Sequence, residues 1–393
     1  MAGERMRILH VFRAPLGGLY RHVLDVTRGQ IARGHEVGIF CDSSTGGARA
    51  DETLEALRPD LALGVTRVPM RRAIHPYDVM AMGRLARICR ELRPDVLHGH
   101  GAKGGAFARL VVAPDLEKRA IRVYTPHGGS FNYNPGTLAH RVFMQVEARL
   151  TRRTDAFLFE SGYVAERYRA FVGPTSQLTR VVHNGISDAE FEPVAPDSDP
   201  FDLLYLGELR QAKGIDTLFD ALALIRRNGG RRLTLLVVGS GPSEAALRAH
   251  AEANGLADAI TFAPPQPIRA ALARGRVMVI PSRAESLPYV ILEAAAAAQP
   301  LISTNVGGIP EIFGSFAARL IPPDDPAILA DRILGTFAQS EDERRREAEE
   351  LARHVHSGFS LEQMVDGVIS GYRAAQERRG IVPLPLTAAT STR

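Results

Sequence analysis

The sequence is poor in cysteine, lysine and tryptophan: its 393 residues include two cysteines, three lysines and no tryptophan. Cys41 and Cys89 are too few for a disulfide framework or a cysteine-rich zinc site, and such low cysteine usage is typical of a reducing cytoplasm. No stretch approaches the ~18 uninterrupted apolar residues that a membrane-spanning helix needs. The N-terminus passes from charged residues into the short run Ile8–Phe12, without the longer apolar segment of a signal peptide. We therefore expect a cytoplasmic protein.

Long runs rich in lysine and arginine are also absent, so we expect no nucleic-acid partner. The formal net charge is +4, but residues 1–195 hold 27 basic and 20 acidic residues, whereas residues 196–393 hold 21 and 24. The excess in the first half favours an anionic partner, either a phosphorylated substrate or an anionic membrane surface. Nearly all of the basic residues are arginine, and a genomic preference for arginine explains the excess equally well.

What the sequence does contain is a regular alternation of apolar strands and amphipathic helices. At roughly 150 residues per domain its length predicts two or three domains. Runs rich in β-branched residues predict strands at 7–12, 36–41, 96–99, 122–125, 156–159, 203–206, 233–238, 259–262, 277–280 and 301–303. Helical periodicity between them predicts helices that include 20–32, 216–227, 244–253 and 289–298. Such alternation predicts parallel sheets with helices on both faces.

The alternation starts a second time after a proline-rich loop, 192–200, which places a domain boundary near residue 190. We predict an α/β protein of two Rossmann-like, doubly wound domains facing each other across a cleft. The first domain takes residues 1–190 and the second 191–370, while 371–393 form the end of the C-terminal helix and a frayed tail. Doubly wound sheets bind ligands at the carboxyl ends of their strands, so the active site is expected in the cleft.

Three loops of the first half carry glycine or histidine where a predicted strand ends. Gly17 and Gly18 open a helix, where backbone amides and the helix N-terminus can bind a phosphate; a plain tight turn is the alternative. His98 and His100 point to the same side of their strand, so a metal pair is conceivable, but no carboxylate or cysteine cluster completes a ligand set. His127, between a proline and paired glycines, is poised to face a ligand rather than to fill a core.

Basic residues and glycines follow the strands of the second half. The loop after 203–206 contains Arg210 and Lys213, which suit a pyrophosphate clamp because arginine binds oxygens as a fork and lysine as a point charge. Two exposed surface cations are the alternative. Gly239 lies in the turn after 233–238 and can approach a nucleotide, although turns of this type are common in any such fold.

The most informative segment follows the predicted strand 277–280. Ser286 is the expected N-cap of the next helix, so Glu285 precedes this helix and Glu293 lies inside it. Glu293 is the only residue from 287 to 298 that is charged at neutral pH. An unpartnered carboxylate in so apolar a helix would cost roughly 2 kcal/mol or more, so it must face something polar. We take Glu285, Ser286, Leu287 and Glu293 as ligand-binding candidates.

Taken in order, these elements resemble the GT-B glycosyltransferases, specifically the retaining family 4. The resemblance covers nearly the whole chain and rests on the Gly17 loop, the strand end at His127, the segment 184–186, the loop of Arg210 and Lys213, the two glutamates with seven residues between them, and the turn 307–311. It implies a nucleoside diphosphate sugar as donor, and it places the sugar hydroxyls at Glu285, the ribose at Glu293, the pyrophosphate at Arg210 and Lys213, and the sugar at His127 from the first domain. Gly17, Gly18, Gly239, Ser286 and Leu287 complete the expected donor site.

Two positions depart from the family pattern. The arginine expected directly after Gly207 is replaced by Glu208, and the nearest arginine is Arg210, so either Arg210 takes over its role or the clamp is weaker. Pro288 replaces a residue whose amide often helps to hold the sugar, which removes one hydrogen-bond donor.

The resemblance implies a retaining transfer in which fixed cations stabilise the leaving pyrophosphate, so we expect neither a metal ion nor a cofactor. The expected acceptor is a saccharide, in particular a lipid-linked saccharide of bacterial polysaccharide assembly, with peripheral contact to the inner, anionic face of the cell membrane. An apolar stripe among arginines would make this contact, and it consists of Leu138, Val142, Val146 and Leu150. An ordinary core-packing helix explains the stripe equally well.

Three other functions stay open at the level of sequence. A nicotinamide oxidoreductase shares the doubly wound architecture but needs a glycine fingerprint that is missing here. A nucleotide-sugar epimerase would use the same donor site, and a donor-binding subunit without turnover would explain the altered basic loop.

Overall fold

The computed structural model describes residues 5–132, 135–229 and 231–381. The chain divides into two compact units, which we call unit 1 (Met1–His183 and Glu362–Arg393) and unit 2 (Asn184–Leu361). Each unit is an α/β domain with a parallel sheet, which confirms the predicted fold class. Among the described residues, no helix has both the length and the apolar character needed to cross a membrane.

Unit 1 is built on a parallel sheet. Its strands are β1 (Arg7–Phe12), β2 (Glu36–Asp42), β3 (Val65–Val68), β4 (Val96–His100), β5 (Ile121–Thr125), β6 (Ala156–Phe159) and β7 (Leu178–Val181). Their order across the sheet is β3-β2-β1-β4-β5-β6-β7, and every neighbouring pair is parallel. The direction of winding reverses between β1 and β4, and such a reversal opens a ligand-binding crevice at the carboxyl ends of the two strands.

Helices cover both faces of this sheet. They are α1 (Gly17–Ala32), α2 (Gly47–Leu57), α3 (Tyr77–Leu92), α4 (Gly101–Leu110), α5 (Leu116–Arg119), α6 (Leu138–Thr151) and α7 (Gly162–Phe171). Neighbouring residues of β2 enter different cores: Ile39 packs with Val23 of α1, and Phe40 packs with Leu85 of α3. This alternation follows from the two-residue period of a strand.

Unit 2 has the same architecture, a parallel sheet with helices, but its sheet is smaller. Its strands are β8 (Phe201–Leu206), β9 (Leu235–Val238), β10 (Ile260–Ala263), β11 (Gly275–Ile280) and β12 (Leu301–Ser303), in the order β10-β9-β8-β11-β12 and all parallel. Its helices are α8 (Ile215–Arg227), α9 (Glu244–Ala253), α10 (Ile268–Leu272), α11 (Tyr289–Ala296), α12 (Ile309–Phe313), α13 (Pro326–Ala338) and α14 (Glu341–Gly358). Here the winding reverses between β8 and β11.

The last helix, α15 (Leu361–Arg378), returns to unit 1 from Glu362 onward. The predicted second domain takes residues 191–370, whereas unit 2 of the structure begins at Asn184 and ends at Leu361. The reason lies in the packing of α15: Tyr372 is fully buried and its hydroxyl lies 3.2 Å from the Nε2 of Gln30 on α1. The predicted tail from residue 382 lies outside the described residues.

Helix α11 differs from its prediction at its N-terminus. Helix α11 begins at Tyr289 with Pro288 in the N-cap position, and Ser286 is therefore not the N-cap. The ψ angle of 123° at Pro288 keeps the preceding backbone extended. Helix α14 continues past the charge-rich segment 341–350 to Gly358, and it buries Ala348, Leu351 and Val355.

Candidate functional site

The segments that follow β8 and β11 meet in unit 2. Lys213 lies in a 3₁₀ turn after β8, and its Nζ is 2.5 Å from Oε1 of Glu285, which follows β11. The Ser282 hydroxyl donates to the same carboxylate oxygen at 2.7 Å. Both side chains are largely buried, with 15% of Lys213 and 8% of Glu285 exposed. The structure therefore brings two of the predicted site residues together at the carboxyl ends of the two central strands.

Arg283 braces this pair, and the sequence analysis did not identify it. Its guanidinium donates to both carboxylate oxygens of Asp216 at 2.8 Å and to the carbonyl of Gln211 at 2.5 Å, and it also contacts Asp324. Its backbone amide donates to the carbonyl of Ala212 at 2.9 Å. The hydrogen bonds that Arg283 donates to Asp216 raise the pKa of its guanidinium. Arg283 thus connects two segments: the turn that contains Lys213 and the loop that contains Glu285.

Arg210 has a different environment from Lys213. Its side chain is 47% exposed, and its Nε lies 3.2 Å from Oε2 of Glu208. Glu208 is the residue that replaces the arginine of the family pattern, so the departure provides Arg210 with a carboxylate partner. A role for Arg210 at a pyrophosphate stays a prediction.

Two glycines of this unit allow close backbone approach. A Cβ on Gly307 would lie 1.9 Å from the carbonyl oxygen of Glu285, and a Cβ on Gly239 would lie 1.9 Å from that of Gly207. Such distances are far inside van der Waals contact, so no side chain fits at either position. For Gly239 this packing gives a structural reason for glycine that does not involve a ligand.

The other predicted residues of unit 2 lie around the same loop. The carbonyl of Ser286 accepts from the amide of Gly308 at 2.7 Å, and the carbonyl of the buried Leu287 accepts from Nδ2 of Asn184 at 2.8 Å. Glu293 is half-buried in α11, whereas Glu285 lies outside this helix. The segment 184–186 and the turn 307–311 therefore both contact the loop that carries Glu285.

Unit 1 gathers five histidines at the carboxyl edge of its sheet. His10 comes from β1, His98 and His100 from β4, His22 from α1, and His127 from the loop after β5. The rings of His98 and His100 have centroids 3.9 Å apart, as expected for residues two apart in a strand. His22 packs edge-on against His127 at 4.7 Å. The sequence analysis singled out three of the five, and the other two carried no local motif.

Hydrogen bonds connect four of these rings. Three links run from Gln30 through His10 and His100 to His127, at 2.8, 2.9 and 3.1 Å. A fourth ring, His98, lies 2.6 Å from the hydroxyl of Tyr372 and 2.9 Å from that of Thr125. The backbone of His127 adopts a φ of 50°, and its amide donates to Glu160 at 3.2 Å.

Four of the rings are neutral at physiological pH because they are shielded from water. Burial lowers the pKa of His10 to about 4. Burial and the neighbouring histidines together lower the pKa values of His98, His100 and His127 well below the ordinary value. A neutral imidazole has one nitrogen that donates a hydrogen bond and one that accepts.

Neutral imidazoles are also the ligands that zinc and similar ions prefer. Two trios of described residues have ring nitrogens within 4.8 Å of one another: His10 with His98 and His100, and His22 with His100 and His127. The nitrogens of His10 and His100 are 2.9 Å apart, whereas two ligands of a tetrahedral zinc at about 2.0 Å from the ion lie about 3.3 Å apart. The observed spacing is that of a hydrogen bond.

Gly17, Gly18 and Lys103 lie close in the sequence to the histidines of unit 1. Gly17 and Gly18 are the exposed first residues of α1, after β1, and a phosphate contact there stays a prediction. Lys103, which follows the histidines of β4, donates to the carbonyls of Arg71 and Ala73 at 2.5 and 2.9 Å. It also pairs with Asp78 at 2.7 Å, so this lysine anchors the loop before α3.

Comparison with known proteins finds two family models that match the chain. The model described as "Glycosyltransferase Family 4" matches residues 16–190, and the model described as "Glycosyl transferases group 1" matches residues 200–339. The two matches together span most of units 1 and 2.

Among curated proteins, the chain is 27% identical over 398 residues to the glycogen synthase of Mycobacterium tuberculosis, with 94% of this chain and 95% of that protein covered. It is 29% identical over 406 residues to the D-inositol 3-phosphate glycosyltransferase of Frankia alni, with 91% and 95% covered. Among solved structures, it is similar to Anabaena Alr3699/HepE in complex with UDP-glucose, with a TM-score of 0.78, 17% identity, and 94% of this chain and 100% of that chain covered. The sucrose-phosphate synthase of Thermosynechococcus elongatus gives a TM-score of 0.74 at 21% identity, with 95% and 100% covered.

Proposed function

This chain belongs to the family 4 glycosyltransferases of the GT-B fold, and from that membership we propose that it transfers a sugar from a nucleoside diphosphate sugar to a hydroxyl acceptor with retention at the anomeric carbon. The observation that carries the proposal is the ion pair of Lys213 and Glu285 at the winding reversal of unit 2. A cation and a carboxylate at this edge suit a ligand with a diphosphate at one end and hydroxyls at the other.

In the proposed reaction, the bond between the anomeric carbon and the β-phosphate oxygen breaks while the acceptor oxygen bonds to the same face of the sugar. The acceptor proton passes to the departing phosphate, so no enzymatic nucleophile is needed. Negative charge grows on the diphosphate, and Lys213 together with the N-terminal amides of α8 would stabilise it. One well-placed group of this kind is worth roughly 3 kcal/mol in the transition state.

The other predicted residues have supporting roles in this proposal. Glu285 binds sugar hydroxyls with its carboxylate, Glu293 binds the ribose, and His127 contacts the sugar from unit 1. Arg210 assists Lys213 at the pyrophosphate. Because these groups supply the needed charge, we propose that no metal ion takes part.

For the acceptor we propose a lipid-linked saccharide at an anionic membrane. Three residues of the apolar stripe on α6 are exposed, with Leu138 at 76%, Val142 at 51% and Val146 at 42%, while Leu150 is buried. Four arginines on and just after α6 are exposed as well: Arg141, Arg149, Arg152 and Arg153. An exposed apolar stripe beside arginines supports a lipid surface over the alternative of core packing. Ile74, Val79 and Met80 of unit 1 are exposed as well.

The experiment is a screen of UDP-, GDP- and ADP-sugars for release of free nucleotide by the purified chain, with and without EDTA. We expect release from one donor class, undiminished by EDTA. In Lys213→Ala we expect release to fall about 100-fold or more, because roughly 3 kcal/mol of charge stabilisation is lost. Lys118→Ala is the matched control, because the Lys118 side chain is 85% exposed.

Each result that contradicts the proposal indicates a different function for this chain. Donor binding without release, unaffected by Lys213→Ala, would indicate a binding subunit. A change of donor mass or stereochemistry without acceptor would indicate an epimerase. Activity that is lost in EDTA and restored by Mn²⁺ or Mg²⁺ would contradict the metal-free reaction.

A further inference from the structure

An unbroken series of hydrogen bonds connects a buried amide of unit 1 to His127. Oε1 of Gln30 lies 2.8 Å from Nε2 of His10, Nδ1 of His10 lies 2.9 Å from Nε2 of His100, and Nδ1 of His100 lies 3.1 Å from Nε2 of His127. The side chains of Gln30, His10 and His100 are buried, with at most 1% exposed. The series therefore starts far from solvent and ends at the half-buried residue that we place beside the donor sugar.

The series has a direction because each neutral ring must donate at one nitrogen and accept at the other. Oε1 of Gln30 can only accept, so Nε2 of His10 carries the proton and Nδ1 of His10 accepts. The same reasoning places a proton on Nε2 of His100 and then on Nε2 of His127. His127 is left with an Nδ1 that can accept a hydrogen bond and cannot donate one.

A second branch starts at the other end of the Gln30 amide. Its Nε2 donates to the hydroxyl of Tyr372 at 3.2 Å. That hydroxyl then donates to Nδ1 of His98 at 2.6 Å, and Nε2 of His98 donates to Thr125 at 2.9 Å. Exchange of the oxygen and nitrogen of Gln30 would require every hydrogen bond of both branches to reverse. Tyr372 on α15 therefore joins the two branches, and the Gln30 amide couples the tautomer of His98 to that of His127.

We propose that Gln30, His10, His100 and Tyr372 are positioning residues that hold His127 in its Nε2-protonated tautomer, so that Nδ1 of His127 accepts a hydrogen bond from a hydroxyl group of the donor sugar. This inference rests on the proposed function. It defines the chemical class that His127 recognises, because an accepting, uncharged nitrogen binds a hydroxyl and repels a phosphate oxygen.

The energetics of burial support a network of this kind. Buried polar side chains are unfavourable unless their hydrogen bonds are satisfied, and a fully satisfied network selects one arrangement. Burial keeps His10, His98 and His100 uncharged at neutral pH, so no extra proton enters the series and breaks its direction. A protonated ring would donate from both nitrogens.

The test is ¹⁵N NMR of the histidine rings in the full-length protein, with the His127 signals assigned through His127→Gln. In the unmodified chain we expect the Nε2-protonated tautomer for His127. In Gln30→Met the anchor is lost while the volume is kept, and we expect His127 to populate both tautomers. If half to nine-tenths of the molecules hold the wrong tautomer, kcat/KM for the donor falls about two- to tenfold. Gln376→Met is the matched control, because Gln376 is buried in the same unit. In the hydrogen bonds described, Gln376 accepts through its backbone carbonyl, which the substitution keeps.

The outcomes separate this inference from the proposed function. If Gln30→Met leaves the tautomer of His127 unchanged, or if His127 is protonated at Nδ1 in the unmodified chain, the inference is wrong. If the tautomer changes as expected while no nucleotide sugar is turned over, the positioning network stands and the proposed function falls. Tyr372→Phe keeps the ring and removes the orienting hydroxyl, so it tests the same prediction should Gln30→Met not fold.

Discussion

At the scale of single residues, the candidate site of unit 2 depends on one position that has no side chain. The carbonyl of Glu285 lies where a Cβ of Gly307 would be, and the φ of Gly307 is 61°. The Glu285 loop and the turn 307–311 therefore pack backbone against backbone. Their separation determines where the carboxylate of Glu285 lies relative to Lys213.

Gly307→Ala is expected to displace the loop of Glu285 and to lower the free energy of unfolding of unit 2 by about 2 to 4 kcal/mol, because a clash with backbone adds to the unfavourable φ. Turnover of the donor should fall by more than the loss of folded protein explains. Gly255→Ala is the control: the φ of Gly255 is 67° and nothing lies within 4 Å of its Cβ position, so only the backbone term remains, about 1 kcal/mol. Urea denaturation and donor kinetics measure both effects. Equal losses in the two variants would show that the contact is unimportant.

At the scale of elements, α6 is held to unit 1 by a buried ion pair while its opposite side is exposed. Arg109 of α4 pairs with Glu147 of α6 at 2.8 Å, and Tyr124 donates to the same carboxylate at 3.3 Å. The Arg109 guanidinium also lies over the Tyr124 ring at 3.8 Å. This anchor leaves the stripe of Leu138, Val142 and Val146 available at the surface.

Leu138→Ser/Val142→Ser is expected to weaken binding to phosphatidylglycerol vesicles at low salt by about 10-fold or more, because each side chain loses roughly 1.5 kcal/mol or more of burial in lipid. Co-sedimentation of the chain with vesicles measures this. The control is Ile328→Ser/Leu334→Ser on α13, where 40% of Ile328 and 39% of Leu334 are exposed. Failure of the unmodified chain to bind anionic vesicles, or equal binding to phosphatidylcholine vesicles, would contradict the membrane contact.

At the scale of the whole molecule, the two units differ in what they bury. Six histidines are buried among the described residues, and all of them lie in unit 1: His10, His22, His35, His98, His100 and His140. Burial, followed by the charges of nearby arginines, lowers the pKa of His35 to about 4, so this effect extends beyond the cluster around His100. The histidines of unit 2 are half-buried or exposed.

Unit 1 is therefore expected to lose stability before unit 2 as the pH falls from about 6.5 to about 4. Four of these histidines have lowered pKa values in the folded chain: His10, His35, His98 and His100. The unfolded chain binds protons at these positions near pH 6.5 and the folded chain does not, so the free energy of unfolding falls by about 1.4 kcal/mol per pH unit for each of the four. Above pH 7 these histidines are neutral in both the folded and the unfolded chain, so they add no pH dependence to the free energy of unfolding. Hydrogen exchange of the two units between pH 7.5 and 4.5 measures the difference.

His35→Asn supplies the control for this acid sensitivity. Nδ1 of His35 accepts from the amide of Met6 at 3.1 Å, and an asparagine oxygen can accept the same bond without titrating. In this variant, the change in the free energy of unfolding of unit 1 per pH unit should decrease by the contribution of one histidine. An identical pH dependence of the two units would refute the expected difference.

Much of the fold could be predicted because its signals are local. The ten strands predicted from apolar runs are all present, with bounds that differ by two residues or fewer at each end. The two strands that were missed, β3 and β7, are the edge strands of unit 1, and their residues are half-buried or exposed. An edge strand buries less apolar surface than a central one, so its sequence carries a weaker pattern.

The sequence by itself determined the alternation of strands and helices, its restart in a second unit, the family and the positions of Lys213, Glu285 and His127. Only the tertiary structure decided that Lys213 pairs with Glu285, that Arg283 braces them, that α15 returns to unit 1, and that five histidines from four segments of the chain form one cluster. The physical reason is that periodicity and turn chemistry act over a few residues. Contacts such as that between Gln30 and Tyr372 join residues hundreds of positions apart, and they exist only once the strands have taken their order and the helices have packed.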